Sequence, residues 1–140
     1  MTADLEELSE QECERLLASR DLGRVAIVAD GRPEIFPVNY AFADGVVVFR
    51  TGEGLKLERS PMAVVAFETD GIDEENGLAW SVMVQGTAQN ITNTIDTRSE
   101  QLRHLSLSAV APGDRNYWVG IYVTHISGRR FKVGRGPRPE

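Results

Sequence analysis

The chain has 140 residues, with 15 basic and 21 acidic side chains and a net charge of -6. This length predicts a single domain with a hydrophobic core, and a hydrophobic content of 41% excludes a disordered chain. A single cysteine, Cys13, excludes a disulfide-stapled scaffold and fits a reducing, cytoplasmic location. No apolar run is long enough to span a membrane, and the acidic balance disfavours nucleic-acid binding.

The first predicted element is a helix from Ser9 to about Ser19. Ser9 and Glu12 have the spacing of a capping box, which marks a helix start. Three side chains of this helix are predicted to face the core at helical spacing: Cys13, Leu16 and Leu17.

Residues 23–51 predict a three-stranded antiparallel meander. Its strands are expected at residues 23–30, 34–42 and 46–51, because turn signals at Asp30-Gly31 and Asp44-Gly45 separate β-branched runs. Pro37 lies inside the second strand and indicates an edge, a bulge or a distorted stretch, because proline cannot donate a ladder hydrogen bond.

The rest of the chain predicts three more strands and one more helix. The strands are expected at residues 62–69, 79–90 and 117–127, and the helix at residues 96–105, with Ile95, Leu102 and Leu105 facing inward. Residues 70–77 are acidic and predict an exposed loop. Residues 129–140 predict either a second hairpin arm followed by a tail, or a tail alone.

Six antiparallel strands with two short helices predict a mainly β protein, built as a small closed or nearly closed barrel. The absence of βαβ units excludes a dinucleotide-binding Rossmann fold. We expect one domain over residues 1–131 and a basic tail rich in Gly and Pro over residues 132–140.

The segment of residues 49–57 combines groups that can hold a phosphate. A strand ends in Arg50 and Thr51, glycines follow, and Lys56 opens the next turn. Arginine, hydroxyl, backbone N–H and lysine groups all bind phosphate. The order of a P-loop is absent. The spacing alone leaves two interpretations open, a phosphate site and an ordinary hairpin corner with surface cations.

Several segments, taken in order, resemble the pyridoxamine 5'-phosphate oxidase-like, FMN-binding split-barrel family. They are the capped helix, GRVAIVADGRPEIFPVNYAF, FRTGEGLKL, SVMVQGTAQNI and WVGIYVTHISGRRF, and they cover residues from about 8 to 131. The FRTGEGLKL run followed by SVMVQGTA is typical of the actinobacterial-type branch of that family.

The resemblance implies a homodimer of six-stranded split barrels, with one flavin in each of two interface clefts. It implies nine cofactor-binding residues: Arg50, Thr51 and Lys56 at the phosphate, Pro37, Val38 and Asn39 beside the isoalloxazine ring, and Trp80, Ser81 and Val82 along the cleft. FMN is the first choice of cofactor, the deazaflavin F420 the second and FAD the third. Arg129, Arg130, Arg135 and Arg138 would suit the acidic tail of F420.

The leading functional hypothesis is therefore a flavin- or deazaflavin-dependent oxidoreductase acting on an unnamed small molecule. A flavin carries the redox chemistry itself, so no catalytic side chain or metal site is assigned. The rival hypothesis is a non-catalytic barrel dimer that holds haem or a flavin, which an accessible His125 would support. A single-stranded nucleic-acid-binding barrel is disfavoured by the net charge of -6.

Three further observations bear on the ligand. The arginine-histidine substrate motif of pyridoxamine phosphate oxidases is not recognisable at the C-terminal end, which disfavours a vitamin B6 phosphate substrate. Trp80 stands where nitroimidazole-resistance relatives carry a histidine. Arg129-Arg130 is either a solvated strand end or a cationic lip that attracts an anionic substrate or cofactor tail.

Overall fold

A computed structural model describes residues 5–52, 63–105, 107 and 117–133. In chain order the elements are β1 (Leu5–Glu7), α1 (Glu10–Ala18), β2 (Leu22–Ala29), β3 (Arg32–Ala43), β4 (Val46–Thr51), β5 (Ala63–Asp73), β6 (Leu78–Asn90), α2 (Thr97–Arg103) and β7 (Tyr117–Lys132).

Six of the strands close into an antiparallel barrel. The strand order is β1-β7-β4-β3-β2-β5-β6, and β6 also pairs with β7, which closes the ring. The 16-residue strand β7 makes this possible because it pairs with β4 near its start, with β1 near its end, and with β6 along most of its length. The mainly β split-barrel prediction is thus confirmed, with β1 added as a seventh strand outside the ring.

The predicted meander is confirmed, and its two turns explain its register. Asp30 and Gly31 have φ values of 52° and 76°, and Asp44 and Gly45 have φ values of 52° and 73°. Two successive positive φ values are the geometry of a type I′ hairpin, whose twist matches that of the flanking strands. The turns therefore fix the β2–β3 and β3–β4 pairings, which run from Ala29↔Arg32 and Ala43↔Val46.

Helix α1 begins where the capping box predicts and covers one end of the barrel. The Ser9 hydroxyl accepts a hydrogen bond from the Glu12 N–H at 3.2 Å. The three side chains predicted to face inward are all buried: Cys13, Leu16 and Leu17. The buried Tyr40 hydroxyl of β3 donates a hydrogen bond to the carbonyl of Leu17, which ties the end of the helix to the barrel wall.

Helix α2 covers a smaller core on the outside of β4 and β7. Leu102 packs there with Val46, Val48 and Ile91. The prediction that Ile95 faces inward is wrong, because its side chain is 90% exposed. Ile95 lies just before the helix, whose N-cap is Asp96, so helical spacing does not apply to it.

The strands differ from the sequence prediction in three places. β1 was not predicted. Asp70–Asp73 belong to β5 and not to the exposed loop, because they pair with Leu78–Ser81 of β6. β7 continues past residue 127 to Lys132, so residues 129–132 are strand, whereas residues 134–140 lie outside the described part. Among the described helices, none is long and apolar enough to cross a membrane.

Candidate functional site

One sheet face that points away from the barrel core carries most of the candidate site, and we call it the outer face. Side chains alternate along each strand, so cross-strand partners lie on the same face. One row of partners on this face runs Pro37, Arg24, Glu68, Met83 and Ser127, across β3, β2, β5, β6 and β7.

The outer face is unusually apolar for a surface. Seven large apolar side chains on it are between 42% and 78% exposed: Leu5, Leu22, Val28, Ile35, Val64, Ile72 and Met83. The other exposed large apolar side chains among the described residues are Val133, which also lines the groove described below, and Ile95, which lies just before α2. Contiguous exposed apolar surface of this kind marks an interaction site.

A groove of about 1030 Å³ lies at the β1 end of the outer face. A second row of cross-strand partners forms its floor, and this row runs Asp70, Ser81, Arg129 and Glu7. Apolar and polar side chains flank this row, and they include Glu68, Ile72, Met83 and Phe131. The groove therefore combines a flat apolar lining with charges of both signs.

One side of the groove is an acidic pair bridged by an arginine. Arg24 Nη1 lies 3.0 Å from Glu68 Oε1 and 3.3 Å from Asp70 Oδ2. Burial and the neighbouring Asp70 together raise the pKa of Glu68 from 4.5 to about 7, against the opposing effect of Arg24. Glu68 thus exchanges its proton near neutral pH.

The two consecutive arginines predicted as a strand end or a cationic lip have different surroundings. Arg130 Nη2 lies 3.1 Å from Glu12 Oε1, and Arg130 Nη1 lies 3.9 Å from Glu6 Oε2, so Arg130 holds α1 and β1 to the barrel. Arg129 is exposed and lines the groove, and its side chain has no hydrogen bond or ion pair within the described ranges.

Pro37 and Asn39 lie at the place where the β3–β4 ladder ends. The pairs of this ladder run from Ala43↔Val46 to Tyr40↔Phe49. The Tyr40 N–H donates to the Asp21 carbonyl at 2.9 Å, on the β2 side. Because backbone groups alternate in direction along a strand, those of Pro37 and Asn39 point to the opposite side. The missing N–H of Pro37 therefore costs no hydrogen bond between β2 and β3. This explains how a proline can lie inside the strand.

The predicted phosphate residues lie at the end of β4, beside this point. Arg50 is exposed, and its guanidinium carbon lies 5.2 Å from the centre of the Trp118 ring. The Thr51 hydroxyl donates a hydrogen bond to the Gly52 carbonyl at 3.3 Å. Lys56 lies outside the described residues. The structure thus brings Pro37–Asn39 and Arg50–Thr51 to one corner of the barrel.

The third predicted group lies at a distance from that corner. Trp80 and Ser81 both lie on β6 beside the groove, but the Ser81 side chain faces the groove whereas the Trp80 side chain packs against the barrel core. Three strand spacings separate β6 from β3. The Trp80 indole packs against Gly71, where a Cβ atom would lie 2.8 Å from the ring. The Val82 side chain is fully buried in the barrel core, so only its backbone is available to a ligand.

The two histidines are both exposed. His104 is the C-cap of α2, and His125 Nδ1 lies 3.3 Å from the neighbouring Thr124 hydroxyl. Among the described residues, no group of three or more His, Cys, Asp or Glu side chains is arranged to hold a metal ion.

A family model described as pyridoxamine 5'-phosphate oxidase matches residues 9–130, which is nearly the whole barrel. The chain belongs to this family. The resemblance found in the sequence is thereby confirmed, and the barrel topology is that of the family's solved relatives.

Three relatives illustrate the range of the pyridoxamine 5'-phosphate oxidase family. The FAD-binding protein of Mycobacterium smegmatis is 34% identical, with 90% of this chain and 97% of that one covered and a TM-score of 0.73. A Corynebacterium glutamicum protein, provisionally assigned as a pyridoxamine 5'-phosphate oxidase, is 33% identical, with 97% and 99% covered and a TM-score of 0.81. An uncharacterized protein of Mycobacterium tuberculosis is 38% identical over 93 residues, which span 62% of this chain and 61% of that protein.

Sequence reasoning missed the charged part of the groove. Arg24, Glu68 and Asp70 meet because β2 and β5 pair, and Glu68 is 44 positions from Arg24 in the chain. The signal that remains in the sequence is the alternation of Glu68 and Asp70 in a strand whose first five residues are apolar. Two acidic side chains at that spacing lie on one face of a strand.

Proposed function

We propose that this protein is a flavin-dependent oxidoreductase that holds FMN in clefts between two copies of the chain. The observation that carries the proposal is that the implied cofactor residues form two groups, which lie on different strands of the barrel. Pro37 and Ser81 both lie on the outside of the barrel, but three strand spacings, about 14 Å measured along the sheet, separate their strands. A second copy packed on this face would complete a cleft that one chain leaves open.

The exposed apolar residues of the outer face support the homodimer. A stable interface has an apolar core with a polar rim. Val28, Ile35 and Val64 form such an apolar area on β2, β3 and β5, and the charged Arg24 and Glu68 lie at its border.

The corner at the end of β4 suits a flavin phosphate. Arg50 is exposed and contributes a guanidinium, Thr51 contributes a hydroxyl and Gly52 contributes its backbone N–H. These are donor types that bind phosphate oxygens. At the end of the β3–β4 ladder the backbone groups of Pro37 and Asn39 point away from β2, where they would meet the edge of a flat ring bound at this corner. FAD shares this phosphate and ring, and it is the ligand of the relative from Mycobacterium smegmatis.

When bound, a flavin supplies hydride transfer to or from a small-molecule substrate. This chain's residues would then bind and orient it. Arg50 and Thr51 would fix its phosphate, Pro37 and Asn39 would position the ring edge, and Ser81 would lie on the groove side, with Trp80 packed behind the strand.

The dimer is tested by placing a charge on the outer face. Ile35→Glu should convert the dimer to monomers in sedimentation velocity, because a buried unpaired carboxylate is strongly unfavourable at an interface. Ile95→Glu is the matched control, since Ile95 is an exposed isoleucine away from this face. A monomeric wild-type protein, or an unaffected dimer in Ile35→Glu, would contradict the proposed interface.

The cofactor is tested by titrating purified protein with FMN, FAD, F420 and haem and following absorbance and fluorescence. FMN should bind most tightly, at one per chain. Arg50→Ala should weaken FMN binding by about 1–3 kcal/mol, the scale of a charged hydrogen bond, whereas Arg32→Ala should not. Tight binding of FAD alone, F420 alone or haem alone would replace FMN with that ligand. Equal FMN affinity in both variants would remove Arg50 from the site.

A further inference from the structure

We propose that the groove binds a small amphipathic monoanion, whose carboxylate lies on Arg129 and whose apolar body lies between Ile72 and Met83. This inference rests on the proposed function, because the groove adjoins Trp80 and Ser81 of the implied flavin cleft. It names the substrate class that this cleft would accept.

The anchor is Arg129, a charged side chain of the groove that has no partner among the described residues. Every other arginine near the groove has one: Arg24 is bonded to Glu68 and Asp70, and Arg130 to Glu12. Arg129 has no such contact within the part of the chain that the structure describes. A planar guanidinium with a neighbouring hydroxyl, here Ser81 directly across the strand pair, is suited to a carboxylate.

The apolar lining sets the shape of the ligand. Ile72, Met83 and Leu5 are exposed in the groove, and Phe131 is half-buried beside them. Ile72 lies on one side of the Ser81–Arg129 row and Met83 on the other. A flat apolar body can therefore lie across β6 between them. Burying this surface favours binding at roughly 25 cal/mol per Å² of apolar area.

The acidic side of the groove limits the ligand to one negative charge. Asp70 and Arg129 are separated by two strand spacings, about 10 Å. A second anionic group at the far end of a ligand would therefore meet Asp70 and Glu68. Arg24 is already engaged by these two carboxylates and does not offset the repulsion.

Three naphthalene probes that differ only in charge test the proposal by fluorescence titration of the full chain. They are 2-naphthoate, 2-naphthol and 2-naphthylmethylammonium. Wild-type protein should bind the anion about tenfold more tightly than the neutral probe, the equivalent of one charged hydrogen bond at an exposed site. Equal binding of all three, a preference for the ammonium, or no binding would overturn the proposal.

Matched variants assign the effect to the groove. Arg129→Gln should abolish the preference for naphthoate, and Arg32→Gln, at the β2–β3 turn outside the groove, should retain it. Glu7→Gln should increase naphthoate affinity, because the Glu7 carboxylate lies directly opposite Arg129 and repels an anion bound there. A preference that survives in Arg129→Gln contradicts the assignment. Loss of the dimer in Arg129→Gln makes Arg129 an interface residue and likewise contradicts it.

The pH dependence gives an independent readout. Five charged or polar groups surround Glu68: Asp70 beside it, Arg24 on β2, Ser127 on β7, and Arg129 and Glu7 across the groove. As Glu68 ionises near pH 7, its charge opposes the anion. Naphthoate affinity should therefore fall as the pH rises from 6 to 8 in wild type, at around the pKa of about 7, and remain level in Glu68→Gln. A level wild-type profile would contradict the role of the acidic side.

The two proposals fail separately. FMN titration of the same Arg129→Gln protein reports on the flavin site, and naphthoate titration reports on the groove. Flavin binding without any charge preference among the probes would sink the groove proposal alone. A clear naphthoate preference without flavin binding would sink the oxidoreductase proposal alone.

Discussion

Arg24 of β2 donates a 3.0 Å hydrogen bond to the Glu68 carboxylate of β5, directly across the strand pair. This contact favours the ionised carboxylate, yet the pKa of Glu68 is raised to about 7. Burial and the adjacent Asp70 together outweigh the single arginine. Glu68 therefore keeps its proton to a higher pH than an ordinary glutamate does. It lies on the face that carries the proposed dimer interface and ligand site.

The raised pKa of Glu68 makes the free energy of unfolding depend on pH. A carboxyl group with a pKa of about 7 in the folded state and an ordinary value of 4.5 binds its proton more tightly when folded. Its contribution to stability is present below pH 4.5 and is lost as the pH rises toward 7. We expect the thermal midpoint of wild type to fall across that interval more steeply than that of Glu68→Gln, measured by circular dichroism in matched buffers. Glu34→Gln, on the exposed part of β3, is the control, and parallel profiles for all three proteins would refute the shift.

The hydrogen bond from the Tyr40 hydroxyl to the Leu17 carbonyl should make a measurable contribution to the free energy of unfolding. Tyr40→Phe removes the hydroxyl and leaves the buried Leu17 carbonyl without that donor. The expected loss is about 1–3 kcal/mol in the free energy of unfolding by urea. Tyr122→Phe should cost less, because no hydrogen bond of the Tyr122 hydroxyl is found within the described ranges. Equal losses in the two variants would show that the hydrogen bond contributes little.

Gly86 lies at a close approach of two strands. A Cβ atom there would lie 2.2 Å from the Tyr122 carbonyl oxygen, next to the register shift between Gln85 and Gly86. Gly86→Ala should therefore cost at least about 1–3 kcal/mol, the usual scale of overpacking. Gly120→Ala, whose Cβ would meet the Val46 side chain at 3.2 Å, should cost less. Urea titration of both variants compares them, and a Gly86→Ala protein as stable as wild type would refute the close contact.

Sequence patterns predicted those parts of the fold that local chemistry decides. The Asp-Gly turns and the alternation of residues 79–90 depend on neighbours in the chain, and both are confirmed. β1 was missed because its three exposed residues carry no apolar alternation and pair only with the end of β7. Asp70–Asp73 were misassigned to a loop because their acidic composition disfavours a strand, yet pairing with β6 overrides that preference.

The candidate site likewise has a part that the sequence indicated and a part that depends on how the strands pair. The family resemblance indicated Arg50, Thr51, Trp80 and Ser81, and whether they hold a cofactor stays a prediction. The outer face and its groove depend on which strands lie side by side, and composition alone cannot show that. The different surroundings of Arg129 and Arg130 likewise follow from alternation on a strand whose extent the sequence left open.

Closure of the barrel by β7 has a consequence for biosynthesis. β4-β3-β2-β5-β6 can form as an open sheet while the chain emerges, but its two ends, β4 and β6, remain unpaired edges until β7 follows. Such edges are templates for pairing with another nascent chain, and β7 brings together parts far apart in sequence, which slows folding. Newly made chains therefore pass through an interval of risk for aggregation, and this interval ends when the last described strand inserts between β4 and β6.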